Sequence, residues 1–148
     1  MDIYYKPISE SGKQMINYVC KYAPVELFKG FGQECAVLEE MPENFDKSDK
    51  IAHANLCGFG KSVIQAVLEG KVEELVLVNC CDSMRRVYDI IENTKKCKFL
   101  YMLDLPHEDN ECENIKFAQS ILRLKNAYER YSHRTFDREL FYKVVCKT

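Results

Sequence analysis

The sequence lacks the features that mark secreted, membrane-spanning or nucleic-acid-binding proteins. No apolar stretch reaches the ~20 residues of a membrane span, and the amino terminus carries no apolar stretch of signal-peptide length. The net charge is only −2 and no polybasic tract is present to neutralise phosphates. Glycine and proline are scarce, at six and four of 148 residues, which argues against a fibrous or disordered chain. We therefore expect a globular cytoplasmic protein that binds neither membranes nor nucleic acid.

Cysteine, by contrast, is abundant, with eight residues in a chain that has no secretion signal. Such cysteines are better interpreted as reduced thiols or metal ligands than as a disulfide framework. The even count is no evidence of pairing. A chain of this length can bury roughly two thirds of its unfolded surface around one core. The cysteines are therefore not needed as covalent cross-links.

Apolar periodicity predicts an α/β fold. Short apolar runs at 33–38, 75–79 and 99–103 are typical of buried parallel strands. Amphipathic helical patterns separate and follow them, at 12–22, 25–29, 59–68, 82–91, 114–131 and 135–145. We expect a three-layer, Rossmann-like or flavodoxin-like fold, with a small parallel sheet of three to four strands, flanking helices and a C-terminal helical pair. The predicted division is an α/β cysteine-cluster domain over 1–108 and a helical extension over 109–148.

Three of the cysteines lie where predicted elements begin or end. Cys81 follows a strand and precedes a helix, a position where a thiolate is electrostatically favoured. Cys57 comes just before a helix, and Cys20 lies at the end of the helix predicted over 12–22. Iron–sulfur sites are built from such distant thiols, although buried filler is the alternative for each. No C-x-x-C is present, which disfavours a zinc ribbon. Alternation along a strand predicts that Cys80 points away from Cys81.

Three further residues are weaker candidates for binding substrate. Arg85 and Arg86 open the helix after Cys81 and suit an anionic group, although a solvated helix face is the alternative. His53 is a candidate ligand or acid–base group, with a surface or capping role as the alternative. The string GFGKS is not interpreted as a phosphate loop, because the first glycine of that motif would fall at Asn55.

Four segments also stand together as a set of motifs: CKYAPVEL from Cys20, HANLCGFGKSVIQAVLEG from His53, LVLVNCCDSMRRVYD from Leu75 and FLYMLDLP from Phe99. In the sequence and the order of these motifs, the chain resembles the 2-hydroxyacyl-CoA dehydratase and benzoyl-CoA reductase superfamily, including its double-cubane cluster branch. The resemblance covers about residues 14 to 145.

The resemblance implies a cofactor, partners and a ligand set. Superfamily members use cysteine-ligated iron–sulfur clusters, of the 4Fe-4S or double-cubane type, and receive low-potential electrons from an ATP-hydrolysing activator protein. The dehydratases deliver those electrons to an acyl-CoA thioester. Cys20, Cys57 and Cys81 match the amino-terminal cysteines of the family. Cys80 stands where a serine is more usual, so it is not counted as a ligand.

Family subunits are longer than this chain, with a second α/β domain after a helical linker. We therefore expect this chain to correspond to the amino-terminal half, working with a second-half or related dehydratase subunit. The first hypothesis is an iron–sulfur-binding portion of a 2-hydroxyacyl-CoA dehydratase-like subunit. The alternative is a non-catalytic remnant or interaction module with free cysteines. The last two helices each have an apolar face without an evident partner, which predicts a homodimer.

Overall fold

The computed structural model describes residues 15–38 and 42–147. Within them, four strands form one parallel sheet: β1 (Ile16–Tyr18), β2 (Cys35–Val37), β3 (Glu74–Val78) and β4 (Phe99–Leu103). The strand order is β2-β1-β3-β4, so β1 and β3 are the two central strands. The same residues form five α-helices, of which the first three lie between strands in the chain and the last two follow β4. They are α1 (Val25–Lys29), α2 (Gly58–Leu68), α3 (Asp82–Thr94), α4 (Glu111–Ser132) and α5 (Arg138–Lys147).

Helices cover both faces of the sheet, which confirms the predicted three-layer α/β fold. On one face, α2 and α3 pack onto the side chains of Leu75 and Leu77. On the other face, α1 and α4 pack onto Val76 and Val78. All five side chains of β3 are buried, as expected for a central parallel strand. No helix in the described ranges is long and apolar enough to cross a membrane.

The helix predicted over 12–22 is wrong where the structure describes it, because residues 16–18 form β1. Ile16 is fully buried, and its amide donates to the Glu34 carbonyl oxygen at 3.0 Å. The Tyr18 carbonyl oxygen accepts from the Leu38 amide at 2.7 Å. A short apolar run fits a helical stripe or a buried strand equally well. Pairing with two neighbouring strands decides between them, since both edges of β1 are hydrogen-bonded.

The long helix α4 has a partner within the chain. Leu124 and Tyr128 are buried against the sheet in an aromatic cluster with Phe28, Phe31 and Phe99. The expectation that this helix lacks a partner is therefore wrong for its inner face, whereas Ile115 and Leu122 stay exposed. The division of the chain at residue 108 stays a prediction, as does the homodimer.

Directly before helix α5, the chain contacts the carboxyl end of α1. The cap of α5 is Asp137, whose Oδ1 accepts from the Leu140 amide at 3.1 Å, so the helix begins at Arg138 rather than at the predicted residue 135. The Asp137 amide also donates to the Gly30 carbonyl oxygen at 2.9 Å. A Cβ on Gly30 would overlap the ring of Phe136. Glycine is thus required at this helix end for close approach.

Replacing Gly30 with alanine should destabilise the protein by about 1–3 kcal/mol, because the added methyl group displaces a packed ring. The Phe136 ring has little freedom to move, since Phe31 packs against it at 5.2 Å and Lys125 lies over it at 5.3 Å. Urea unfolding measures the loss. Gly58→Ala is the matched control, because nothing lies within 4 Å of a Cβ there. Equal midpoints for the two variants would contradict the proposed overlap.

A buried carboxyl stands at the amino end of β3. Glu74 is 7% exposed, and its Oε1 accepts from the Tyr131 hydroxyl at 3.0 Å. Its Oε2 has no hydrogen-bond partner among the described residues. Burial raises the pKa of Glu74, although the hydrogen bond from Tyr131 and the nearby Arg134 favour the charged form. The folded protein therefore binds this proton more tightly than the unfolded chain does.

Stability should consequently fall as pH rises through the raised pKa of Glu74. The stability that the proton on Glu74 contributes is fully present below the ordinary carboxyl pKa. It is lost above the pKa that Glu74 has in the folded protein. Glu74→Gln keeps an acceptor for Tyr131 and carries no charge, so its stability should decline less between about pH 5 and about pH 8. Urea midpoints at both pH values test this. Glu92→Gln, at an exposed position of α3, is the control and should follow the wild type.

Candidate iron–sulfur site at the carboxyl edge of the sheet

The strand order places cysteines from two chain segments at one edge of the sheet. Cys20 follows β1, and Cys80 and Cys81 follow β3. Because β1 and β3 are parallel neighbours, their carboxyl ends lie side by side. In flavodoxin-like sheets of this order, the point between these two strands is where ligands bind. Cys20 reaches this edge from a strand, not from the helix end predicted for it.

The turn after β3 places Cys80 next to Cys81 in the chain and at the same edge of the sheet as Cys20. Desolvation, followed by the charges of these two neighbours, raises the pKa of Cys80 to about 11. That Cys80 and Cys81 point apart stays a prediction. Strand alternation ends at Val78, where the Cys80 amide turns back to the Val78 carbonyl oxygen at 2.8 Å.

Cys57 caps the amino terminus of α2. Its sulfur accepts from the Gly60 amide at 3.3 Å. This backbone hydrogen bond lowers the pKa of Cys57, partial burial opposes the shift, and a side-chain hydrogen bond with Ser83 lowers it further. The thiolate, the form that binds metals, is thereby favoured. The first turn of α2 also packs on α3, since a Cβ on Gly60 would lie 3.1 Å from Val87 Cγ2.

Asn79 holds the loop that carries Cys80 and Cys81, a role that the sequence interpretation missed. Its Oδ1 accepts from the Leu105 amide at 2.7 Å, and its Nδ2 donates to Asp104 Oδ1 at 2.8 Å. Asn79 therefore ties the loop after β3 to the loop after β4. An asparagine directly after a buried strand was the available signal, since its amide can satisfy backbone groups as the ladder ends.

The three weaker candidates do not come together. Arg85 lines a cavity of about 420 Å³, with Asn79, Asp104, Lys116 and Arg123 among the other lining residues. Arg86 and His53 are exposed, and neither lines this cavity. The structure thus separates Arg85 from the other two. Lys116 and Arg123, from α4, are cationic groups that the sequence interpretation did not single out.

The remaining cysteines lie elsewhere. Cys35 begins β2 and Cys97 precedes β4, so both are at the amino edge of the sheet, opposite the site. Burial raises the pKa of each to about 12, which fits inert thiols. Cys112 and Cys146 are exposed on α4 and α5.

The donor set fits an iron–sulfur cluster by its chemistry. Thiolates are the usual cluster ligands, and Cys57, Cys80 and Cys81 are exposed rather than used as core filler. Within residues 15–38 and 42–147, no three His, Cys, Asp or Glu side chains converge tightly enough to hold a single metal ion. Ligands of a cluster stand further apart than ligands of one ion, because several irons and sulfides lie between them. Cys20, Cys57, Cys80 and Cys81 thus supply, at one edge of the sheet, the kind of donor that a cluster uses.

The family model described as 2-hydroxyglutaryl-CoA dehydratase, D-component, matches residues 20–148. A search of curated proteins found no match. The matched residues span most of the chain, from the cysteine that follows β1 through α5. The chain therefore belongs to the 2-hydroxyglutaryl-CoA dehydratase D-component family.

Proposed function

We propose that this chain is the cluster-binding part of a 2-hydroxyacyl-CoA dehydratase-like low-potential reductase or dehydratase subunit. Cys20, Cys57 and Cys81 would hold the cluster. The observation that supports this most directly is the strand order, which brings Cys20 to the edge that carries Cys81. Family membership gives independent support. A cluster of the 4Fe-4S or double-cubane type supplies low-potential electron transfer and, at an iron without a protein ligand, Lewis acidity.

The protein's own residues prepare this site. The Gly60 amide and the Ser83 side chain stabilise the Cys57 thiolate before any metal binds. Asn79 fixes the backbone that presents Cys80 and Cys81. Cys57, Cys80 and Cys81 themselves are exposed. The site is therefore accessible to cluster assembly and to a protein that delivers electrons.

Arg85 is the residue we propose for an anionic part of the substrate. It stands in the cavity at the carboxyl edge, together with Arg123. A guanidinium binds the paired oxygens of a carboxylate or phosphate through two parallel hydrogen bonds. The CoA part of an acyl-CoA carries phosphate groups. Arg86 and His53, which face solvent outside this cavity, are weaker candidates.

Because the cysteines are exposed, partner proteins have access to them. We propose an ATP-dependent iron–sulfur activator protein as the electron donor and a second α/β domain or related subunit as a cover for the site. A homodimer is a further proposal, since Tyr142 and Leu140 of α5 are exposed. Light scattering at micromolar concentration tests it, and a monomeric mass would count against it.

Iron and acid-labile sulfide content after strictly anaerobic purification tests the proposed function. We expect stoichiometric iron and sulfide, with a visible absorption band that bleaches on addition of dithionite. Absence of iron, even after reconstitution with ferrous iron and sulfide, would refute cluster binding. It would favour the alternative of a non-catalytic module with free cysteines.

A further inference from the structure

Strand β4 lies at one edge of the sheet, and its outer side has no strand partner in the part of the chain that the structure describes. The Leu103 carbonyl oxygen accepts from the Asn79 amide at 3.1 Å, so the backbone groups of Leu103 face β3. Backbone groups of successive residues point to opposite sides of a strand. Those of Leu100 and Met102 therefore point away from β3 and are open to a further strand.

The sequence of β4 does not protect this edge. The strand contains no charged residue and no proline, which are the residues that commonly prevent edge-to-edge pairing. The other edge strand, β2, is only three residues long, and its shortness itself limits pairing. Beside β4, a cavity of about 540 Å³ is lined by Tyr101 and by Arg123 and Arg130 of α4. Side chains of a second strand therefore have room on this face.

The charges that flank β4 have opposite signs at its two ends. Exposed lysines precede the strand and exposed carboxylates follow it: Lys95, Lys96 and Lys98, and then Asp104, Glu108 and Asp109. A parallel copy of the strand would bring like charges together, whereas an antiparallel copy brings lysines against carboxylates. In an antiparallel pair centred on Tyr101, Lys98 lies directly opposite Asp104 of the other copy. Charge complementarity thus favours a second copy of this chain as the occupant.

Both of these side chains also have a partner within their own chain. Lys98 Nζ lies 2.9 Å from Glu73 Oε2, and Asp104 Oδ1 accepts from Asn79 Nδ2 at 2.8 Å. Neither contact buries the charge, since the Lys98 side chain is 62% exposed and Asp104 is exposed as well. Each group is therefore accessible to a second chain that approaches the edge.

We propose that two copies of this chain associate by antiparallel pairing of their β4 strands, which joins their sheets into one continuous sheet. In the register centred on Tyr101, Leu100 of each copy exchanges backbone hydrogen bonds with Met102 of the other. Tyr101 then lies opposite its counterpart across the two-fold axis. This surface is separate from α5, and the inference does not depend on the proposed cluster.

Disulfide cross-linking of Tyr101→Cys tests the register. Residues that face each other in a non-hydrogen-bonded antiparallel pair have Cα atoms about 4.5 Å apart, which a disulfide can bridge. We expect mild oxidation to give a covalent dimer, with mass spectrometry locating a disulfide between the two introduced cysteines. Tyr142→Cys is the matched control, because Tyr142 is exposed on α5, and it should give no disulfide between its introduced cysteines.

Light scattering of Lys98→Glu tests the charge arrangement. The wild type should be dimeric at micromolar concentration. The dissociation constant of the variant should rise by about tenfold, because repulsion replaces attraction at two symmetric positions. Lys50→Glu, at an exposed position outside β4 and its flanks, should dimerise as the wild type does. Equal urea midpoints of the two variants would show that both are folded.

The outcomes are independent of iron content, so they separate this inference from the proposed function. A monomeric wild type refutes the inference. A dimer without the Tyr101→Cys disulfide, or one in which Lys98→Glu binds as tightly as the wild type, refutes it as well. A disulfide from Tyr142→Cys in place of Tyr101→Cys would put the contact on α5.

Discussion

Replacing Cys57 and Cys81 together with serine is expected to remove the cluster while leaving the fold intact. Each cysteine is the residue directly before a helix, α2 and α3 respectively. Serine is among the preferred residues at that position, so both helices keep a suitable cap. A serine hydroxyl is a poor substitute for a thiolate as an iron ligand. The double variant therefore separates loss of ligands from loss of structure.

The expected loss of iron is large. Removing even a hydrogen-bond partner of a metal ligand costs about 10–100-fold in metal affinity, and removing two ligands costs at least that. Iron and sulfide per chain, measured after anaerobic purification, should fall to near background. Cys146→Ser is the matched control, because Cys146 is exposed on α5. An iron content unchanged in the double variant would show that the ligand assignment is wrong.

Replacing Tyr128 with alanine is expected to destabilise the protein more than any other single change discussed. Tyr128 is 1% exposed, and its ring packs edge-on against Phe28 at 5.2 Å, Phe31 at 5.1 Å and Phe99 at 5.3 Å. Truncating a buried aromatic side chain costs about 3–5 kcal/mol. A typical domain has only about 5–15 kcal/mol of stability. The loss is therefore a large part of the total.

Thermal and urea unfolding measure this effect. For a chain of this size, the midpoint should fall by about 10–20 °C. Tyr142→Ala provides the control, because Tyr142 is 66% exposed and its loss should change stability by less than about 0.5 kcal/mol. Tyr128→Phe should lie between the two, since it keeps the ring. Similar midpoints for Tyr128→Ala and Tyr142→Ala would mean that α4 adds little to the core.

Local pattern was enough to predict most elements of the fold. The helix over 25–29 and the strand over 99–103 have the predicted bounds. The strand β3 is shifted by one residue from the predicted run. The spacing of apolar side chains in each of these segments fits either a helix or a strand but not both, so it predicts the element. The segment at 12–22 did not, since Ile16 and Val19 fit a helical stripe as well as a strand.

The wrong helix over 12–22 also gave Cys20 a wrong place in the predicted fold. Near the end of a helix, it would have no fixed relation to Cys81. As a residue after β1, it lies beside the end of β3, because Asn17 pairs with Leu75. Strand alternation also does not extend past Val78, because the chain turns at Cys80.

The sequence by itself determined the alternation of strands and helices, the supply of reduced thiols at element ends and the family. These depend on local apolar spacing, composition and motif wording. Only the tertiary structure decided which cysteines share an edge of the sheet. Strand order is set by pairing and packing between segments far apart in the chain, such as β1 with β3. No local pattern encodes such a pairing, because its free energy comes from contacts that exist only after the chain has folded.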